Sequence, residues 1–274
     1  MMRRKGLKEV VTIFGLIICL FFILWGGSFV AAQEESALYR IKRTGVIRIG
    51  WAAHVPWMRL DEKTNKVVGI SADVYDELTK ALGNLRIEWI ADSWVTIIAG
   101  LQSNKFDIVF PLAFSIERAL ACEFTDDMMR EAHSFLVKKK DATRFKTHDD
   151  INQPGVKIVV TLGSAPDIHL TKSYIKKPEI IRLKSSPECL MAMTLGKADA
   201  WATNGSALLD AMKAHPETTV VKGSYSLSKL NMGIKQGDQT FLNWLNIFIG
   251  DMKETGALDR IYQKYGTKRE VFFD

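Results

Sequence analysis

The chain has 274 residues, 47% of them hydrophobic, and a formal charge of +6. That length and apolar fraction can bury a large core in one or two domains. Half of the excess charge sits at the start, in Arg3, Arg4, Lys5 and Lys8 against Glu9; the rest is too mild to argue for nucleic acid as a partner.

An apolar run from Val10 to Val30 follows this basic start and ends in Val30-Ala31-Ala32-Gln33. Small residues at the −3 and −1 positions after such a run mark a cleaved secretory leader over residues 1–32. The run is also long enough to span a bilayer, so an uncleaved anchor stays open as the alternative. The mature chain holds Cys122 and Cys189, read as two buried free thiols in different halves of the molecule.

Residues 33–40 are polar and are expected to fray. Val46-Ile47-Arg48-Ile49-Gly50 alternates like a half-buried strand and stops at glycine. His54-Val55-Pro56-Trp57 forms a loop, and Asp61 to Lys66 suits a hairpin tip. Val74, Leu78, Ala81 and Leu82 recur at helical spacing, with Ser71 or Asp73 as cap and Gly83 as stop. Arg86 to Ile90 reads as a strand and Trp94 to Leu101 as a short helix.

The stretch from Phe106 to Asp126 organises the first half. Ile108-Val109-Phe110 is a short apolar run bounded by Asp107 and Pro111, hence a buried strand. Ser115 stands at a helix N-cap, with Glu117 and Arg118 in the first turn. A guanidinium and free backbone N–H groups converge at that mouth, a pattern suited to a carboxylate or phosphate; a solvated surface arginine is the plainer alternative.

Further strands are expected over His133–Val137, Val156–Leu162, Ile180–Leu183, Asp199–Thr203 and Asn231–Ile234. Helices are expected over Pro187–Leu195, Ala207–Ala214, from Phe241 to Met252, and around Leu258–Tyr262. Strands and helices alternate almost throughout, which implies α/β architecture with mostly parallel sheets. Thr161-Leu162-Gly163-Ser164 is a second strand that opens a helix. Ligands in open α/β sheets sit beyond such strand ends, so a carboxylate can be gripped by Arg118 from one mouth and Ser164 from the other.

With these motifs in order, residues 43 to 266 resemble the bacterial extracellular solute-binding proteins, family 3, the periplasmic receptors of polar amino-acid ABC importers. The resemblance runs through Gly69-Ile-Ser-Ala-Asp73, Leu101-Gln-Ser-Asn-Lys-Phe-Asp107, Ser115-Ile-Glu-Arg118, Phe124-Thr-Asp126, Gly163-Ser164, Gly196-Lys-Ala-Asp199-Ala and Gly256-Ala-Leu-Asp-Arg-Ile-Tyr-Gln-Lys-Tyr265. It implies the two-lobed periplasmic-binding-protein type 2 fold, with hinge strands near Ser134–Lys138 and Leu230–Lys235. The first lobe would span residues 33–135 and regain 231–274, and the second would span 136–230. It also implies a monomeric periplasmic protein that hands a small carboxylate ligand to an inner-membrane ABC permease, without cofactor or metal.

By the same resemblance Arg118 grips the ligand carboxylate, Ser164 assists, Thr161 reaches the ligand side chain, and His54 and Trp94 supply rings. Three positions depart from the family. Asn204 stands where an aspartate holds the α-ammonium, and Ala113 and Pro111 replace two further contacts to it. The ligand expected from these losses is a carboxylate without a standard α-ammonium, unless another acid enters from elsewhere. An unpaired buried ammonium would cost about 3 kcal/mol.

The expectation is a binding protein and not an enzyme. Related cyclohexadienyl dehydratases on this fold supply the rival reading, and a receptor sensor domain supplies a third. The chain has no Gly-x-Ser-x-Gly turn and no His-Glu-x-x-His motif. The histidines have no metal spacing. Glu117 reads either as an acid–base group or as a helix-start carboxylate, and Asp199 as structural.

Overall fold

The computed structural model describes residues 35–174 and 176–273; the leader expected over residues 1–32 lies outside them. In chain order the elements are α1 (Ala37–Thr44), β1 (Val46–Trp51), β2 (Arg59–Asp61), β3 (Lys66–Val68), α2 (Ile70–Ala81), β4 (Arg86–Ala91), α3 (Ile97–Gln102) and β5 (Ile108–Ala113). Then come α4 (Ile116–Ala119), β6 (Cys122–Phe124), β7 (Met129–Lys138), α5 (His148–Ile151), β8 (Lys157–Thr161), α6 (Ala165–His169), β9 (Glu179–Leu183) and α7 (Ser186–Thr194). The chain closes with β10 (Ala200–Asn204), α8 (Gly205–Ala214), β11 (Thr218–Val220), β12 (Ser226–Lys235), α9 (Gln239–Glu254), α10 (Ala257–Lys264) and β13 (Glu270–Val271).

The strand order along the main sheet is β4-β1-β5-β12-β7-β10-β8-β9. One flank, β4-β1-β5, is parallel, and so is the other, β10-β8-β9. Between them lie β7 and β12, antiparallel to each other and to the flank strand beside each. Only these two long strands join the two parallel sets along that path.

Each flank builds its own core by the two-residue period of a strand. In β5, Ile108 and Phe110 face the cluster of Ile47, Ile49, Val74, Phe241 and Leu245. Val109 faces the opposite side with Ile97, Leu101 and Phe106, and Leu112 joins it out of phase, where the pairing of β5 with β12 shifts register between Asn231 and Gly233. In the other flank Ile158 and Val160 join Phe135 and Ala202, whereas Val159 packs on Trp201, Cys189 and Leu208. Strands buried on both faces read as continuous apolar runs because helices cover both sides of a parallel set.

Several boundaries differ from expectation for identifiable reasons. Residues from Ala37 onward are helical rather than frayed. Ser36 Oγ accepts from Leu38 N and donates to Asp238 Oδ1 at 2.7 Å, and Leu38 and Ile41 bury one face. β7 starts four residues before the expected His133, and β12 starts at Ser226 rather than Asn231. Exposed Arg130, Leu227 and Lys229 break the apolar runs without breaking the ladder, whose register pairs Leu230 with Met129 and Ser226 with His133. α2 begins at Ile70 behind Gly69, which leaves the expected caps Ser71 and Asp73 inside the helix. Trp94 precedes α3 instead of lying in it. Cys122 and Cys189 are buried and free, with burial pushing their thiols up to about 11 and about 12. Among the described residues no helix is long and apolar enough to cross a membrane.

Candidate functional site

Strand β5 ends in Ala113, and two residues later Ser115 caps α4 by accepting from Arg118 N at 3.2 Å. This turn projects Arg118 back over the strand end. Its Nη1 donates to Ala113 O at 2.9 Å and its Nη2 to Gly163 O at 3.3 Å. The guanidinium therefore bridges the ends of β5 and β8, two strands on opposite flanks of the sheet. Two of its five N–H donors are used this way. Among the described residues no carboxylate pairs with it. Glu117 turns outward to Lys172 at 2.6 Å, which holds its exposed carboxyl down near about 2. That contact makes Glu117 a surface ion-pair partner rather than an acid–base group of the cavity.

At the end of β8, Ser164 caps α6. Its hydroxyl accepts from Asp167 N at 3.3 Å and donates to Thr161 O at 2.7 Å. Asp167 in turn accepts from Gly163 N at 3.0 Å and pairs with Arg182 at 2.9 Å, which locks the turn. Gly163 has φ of 72°, and a Cβ there would come within 3.1 to 3.3 Å of Val95 and Trp94. Glycine thus permits both the left-handed conformation and the close approach of this turn to the Trp94 loop.

These two mouths open on one cavity. Of the residues expected at the site, Arg118, Ser164, His54, Trp94, Asn204 and Ala113 all line it. Pro111, the other departing position, lines it too. Thr161 is not among the lining residues: its buried hydroxyl lies 3.6 Å from Cys189 Sγ. His54 and Trp94 meet edge to face at 6.0 Å, and His54 Nδ1 and Trp94 Nε1 have no hydrogen-bond partner among the described residues. Aromatic walls with a few polar atoms left for the guest are what a small-molecule site requires.

Two titratable lining residues were not anticipated, Glu131 and His133 on β7. Glu131 is wholly buried. It accepts from Ser206 N at 2.9 Å, from Ser206 Oγ at 2.8 Å and from Asn204 Nδ2, while burial pushes its pKa up. Behind it, Trp57 Nε1 donates to Ser206 Oγ at 2.8 Å. The sequence signal was an acid two positions before the strand expected over His133–Val137, which alternation alone assigns to a loop.

Burial lowers His54 to about 4, against a smaller raising contact from Asn204, and lowers His133 to about 3, helped by His169 and His54. Both imidazoles are neutral near pH 7. Following imidazole resonances by NMR from about pH 8 to about pH 5 will show no titration of either ring near the unperturbed 6.5. An inflection there would contradict the burial. Because both folded values lie below the unfolded one, the stability they contribute is complete above about 6.5 and is lost as the pH falls toward about 4 for His54 and about 3 for His133. Glu131, shifted upward, works in the opposite sense. Among the described residues no group of His, Cys, Asp or Glu is arranged to hold a metal ion.

Residues 47–268 match the family model of the bacterial extracellular solute-binding proteins, family 3. The L-cystine-binding protein TcyA of Bacillus subtilis is 24% identical over 243 residues, covering 85% of this chain and 86% of its own. The cyclohexadienyl dehydratase of Pseudomonas aeruginosa is 23% identical over 189 residues, covering 69% and 70%. Among solved structures, an ancestral amino acid-binding protein described as a precursor of cyclohexadienyl dehydratase superposes with a TM-score of 0.78. It is 30% identical and covers 84% of this chain and 99% of its own. The alternating strands, the two parallel sets joined by β7 and β12, and this match over most of the chain agree: the protein belongs to the bacterial extracellular solute-binding proteins, family 3, and has their two-lobed α/β fold.

Proposed function

We propose that the protein is the periplasmic solute-binding component of an ABC importer and captures a small carboxylate-bearing solute between its two lobes. One observation carries this reading. Arg118 and Ser164 come from the ends of strands on opposite flanks and line one cavity, and no carboxylate among the described residues pairs with the guanidinium. A ligand carboxylate can accept a bidentate pair from Arg118 and, when the Ser164 hydroxyl turns from Thr161 O to the guest, a further bond from Ser164. In this reading the first lobe spans residues 33–135 with 231–274 returning to it, and the second spans 136–230. β7 and β12 then serve as the hinge strands, and ligand-driven closure presents both lobes to an inner-membrane permease together. A monomer exported through a leader over residues 1–32 fits the same account.

The relative that is a dehydratase, together with a buried carboxyl in the cavity, favours one second reading, a lyase on the same fold. An assay of the purified protein with prephenate and arogenate separates the two. The binding reading expects no turnover above the uncatalysed rate. Turnover abolished by Glu131→Gln would replace binding with catalysis. Mass spectrometry of the solute released on unfolding tests the leading reading from the other side, with a compound bearing a carboxylate as the expected result.

A further inference from the structure

The cavity contains a buried carboxyl that no cationic group among the described residues pairs with. Glu131 is fully buried, and all three groups that donate to it are neutral: the Ser206 backbone N–H, the Ser206 hydroxyl and the Asn204 amide. Among the described residues no Lys, Arg or His pairs with it. A buried carboxyl held only by neutral donors is pushed toward its protonated form, and a cation that reaches it restores the charge. Its two oxygens offer about four acceptor positions, and three are occupied, so one remains on Oε1. The neighbouring rings of His54 and His133 are held neutral and supply no counter-charge.

Asn204 explains why the charge sits at position 131. Its Oδ1 accepts from Thr203 Oγ1 at 3.2 Å, and its Nδ2 donates to Glu131 and to Ser206 Oγ. An acid at 204 would set two carboxylates in contact, which cannot both ionise. An amide there turns the same position into a donor that aims Glu131.

We infer that Glu131 recognises a cationic N–H group of the ligand, so that the solute is a zwitterion with its carboxylate on Arg118, and that Asn204 is a positioning residue for Glu131. This rests on the carboxylate reading above and replaces the expectation of a ligand without an ammonium group. That expectation followed from Asn204, Ala113 and Pro111 alone and could not include an acid arriving on β7.

The test uses the full mature protein, unfolded and refolded to remove solute, in calorimetry with the standard L-amino acids and L-cystine. The amino acid that binds tightest is then compared with its 2-oxo acid. The expected result is a 2-oxo acid at least about 30-fold weaker than the amino acid. In Glu131→Gln the amino acid should fall to the level of the 2-oxo acid, whose own affinity changes less than about 3-fold. The double variant Glu131→Gln/Asn204→Asp should recover part of the preference. Equal binding of the two compounds by the wild type, a comparison that needs no variant, overturns the assignment. So does an unchanged preference in Glu131→Gln. In either case tight binding of the 2-oxo acid leaves the carboxylate reading standing. Failure of both compound classes to bind the wild type removes both.

Discussion

Arg118→Ala weakens the carboxylate solute by about 2–5 kcal/mol, a loss of roughly 30- to 5000-fold in Kd. The guanidinium contributes a charge-assisted, bidentate contact in a partly desolvated place, and its own pKa is pulled down by that burial. Its two existing bonds run to backbone carbonyls, Ala113 O and Gly163 O, so its free donors are still directed by the fold when a guest arrives. Arg118→Lys keeps the charge and loses the planar fork, and is expected to fall between the two. The alanine variant should fold normally, because no ion pair among the described residues depends on this side chain. Calorimetry with the co-purified solute and a thermal melt check both parts. A change in Kd below about 3-fold would mean that Arg118 does not touch the ligand.

Trp57→Ala should lower the unfolding free energy by about 3–5 kcal/mol. The indole is completely buried and meets Phe110 edge to face at 5.4 Å and Tyr262 at 6.1 Å. It therefore ties the 54–58 loop to β5 and α10, and its Nε1 reaches Ser206 on α8. Removing it opens a large cavity and strips Ser206 Oγ of a donor while that hydroxyl still serves Glu131. Trp57→Phe keeps most of the volume and isolates the hydrogen bond, for about 1 kcal/mol. Urea denaturation followed by circular dichroism measures both, with the midpoint moving at constant slope. A shift below about 1 kcal/mol for the alanine variant would contradict the packing described here.

The two mouths of the cavity were legible because local chemistry announces them. Ser115 and Ser164 cap short helices directly after apolar strands, and both caps form as their sequence context implies. Glu131 was not legible. It lies in the half of β7 where Arg130 faces solvent, and period-two reasoning cannot tell an acid that faces a cavity from one in a loop. Its burial depends on Asn204 and Ser206, more than seventy residues away. Thr161 fails for the same kind of reason. Strand periodicity fixes alternation but not which face meets the cavity, and this hydroxyl faces Cys189. The helix at Ala37–Thr44 escaped because Asp238, from the other end of the chain, completes its start.

The central claim is that one ligand carboxylate is held jointly by Arg118 and Ser164. A crystal structure with the co-purified solute tests it most directly. The account predicts a carboxylate within hydrogen-bonding distance of both the Arg118 guanidinium and Ser164, inside the cavity walled by His54 and Trp94. A solute seated elsewhere, or one in this cavity with Arg118 still bonded only to Ala113 and Gly163, would contradict it.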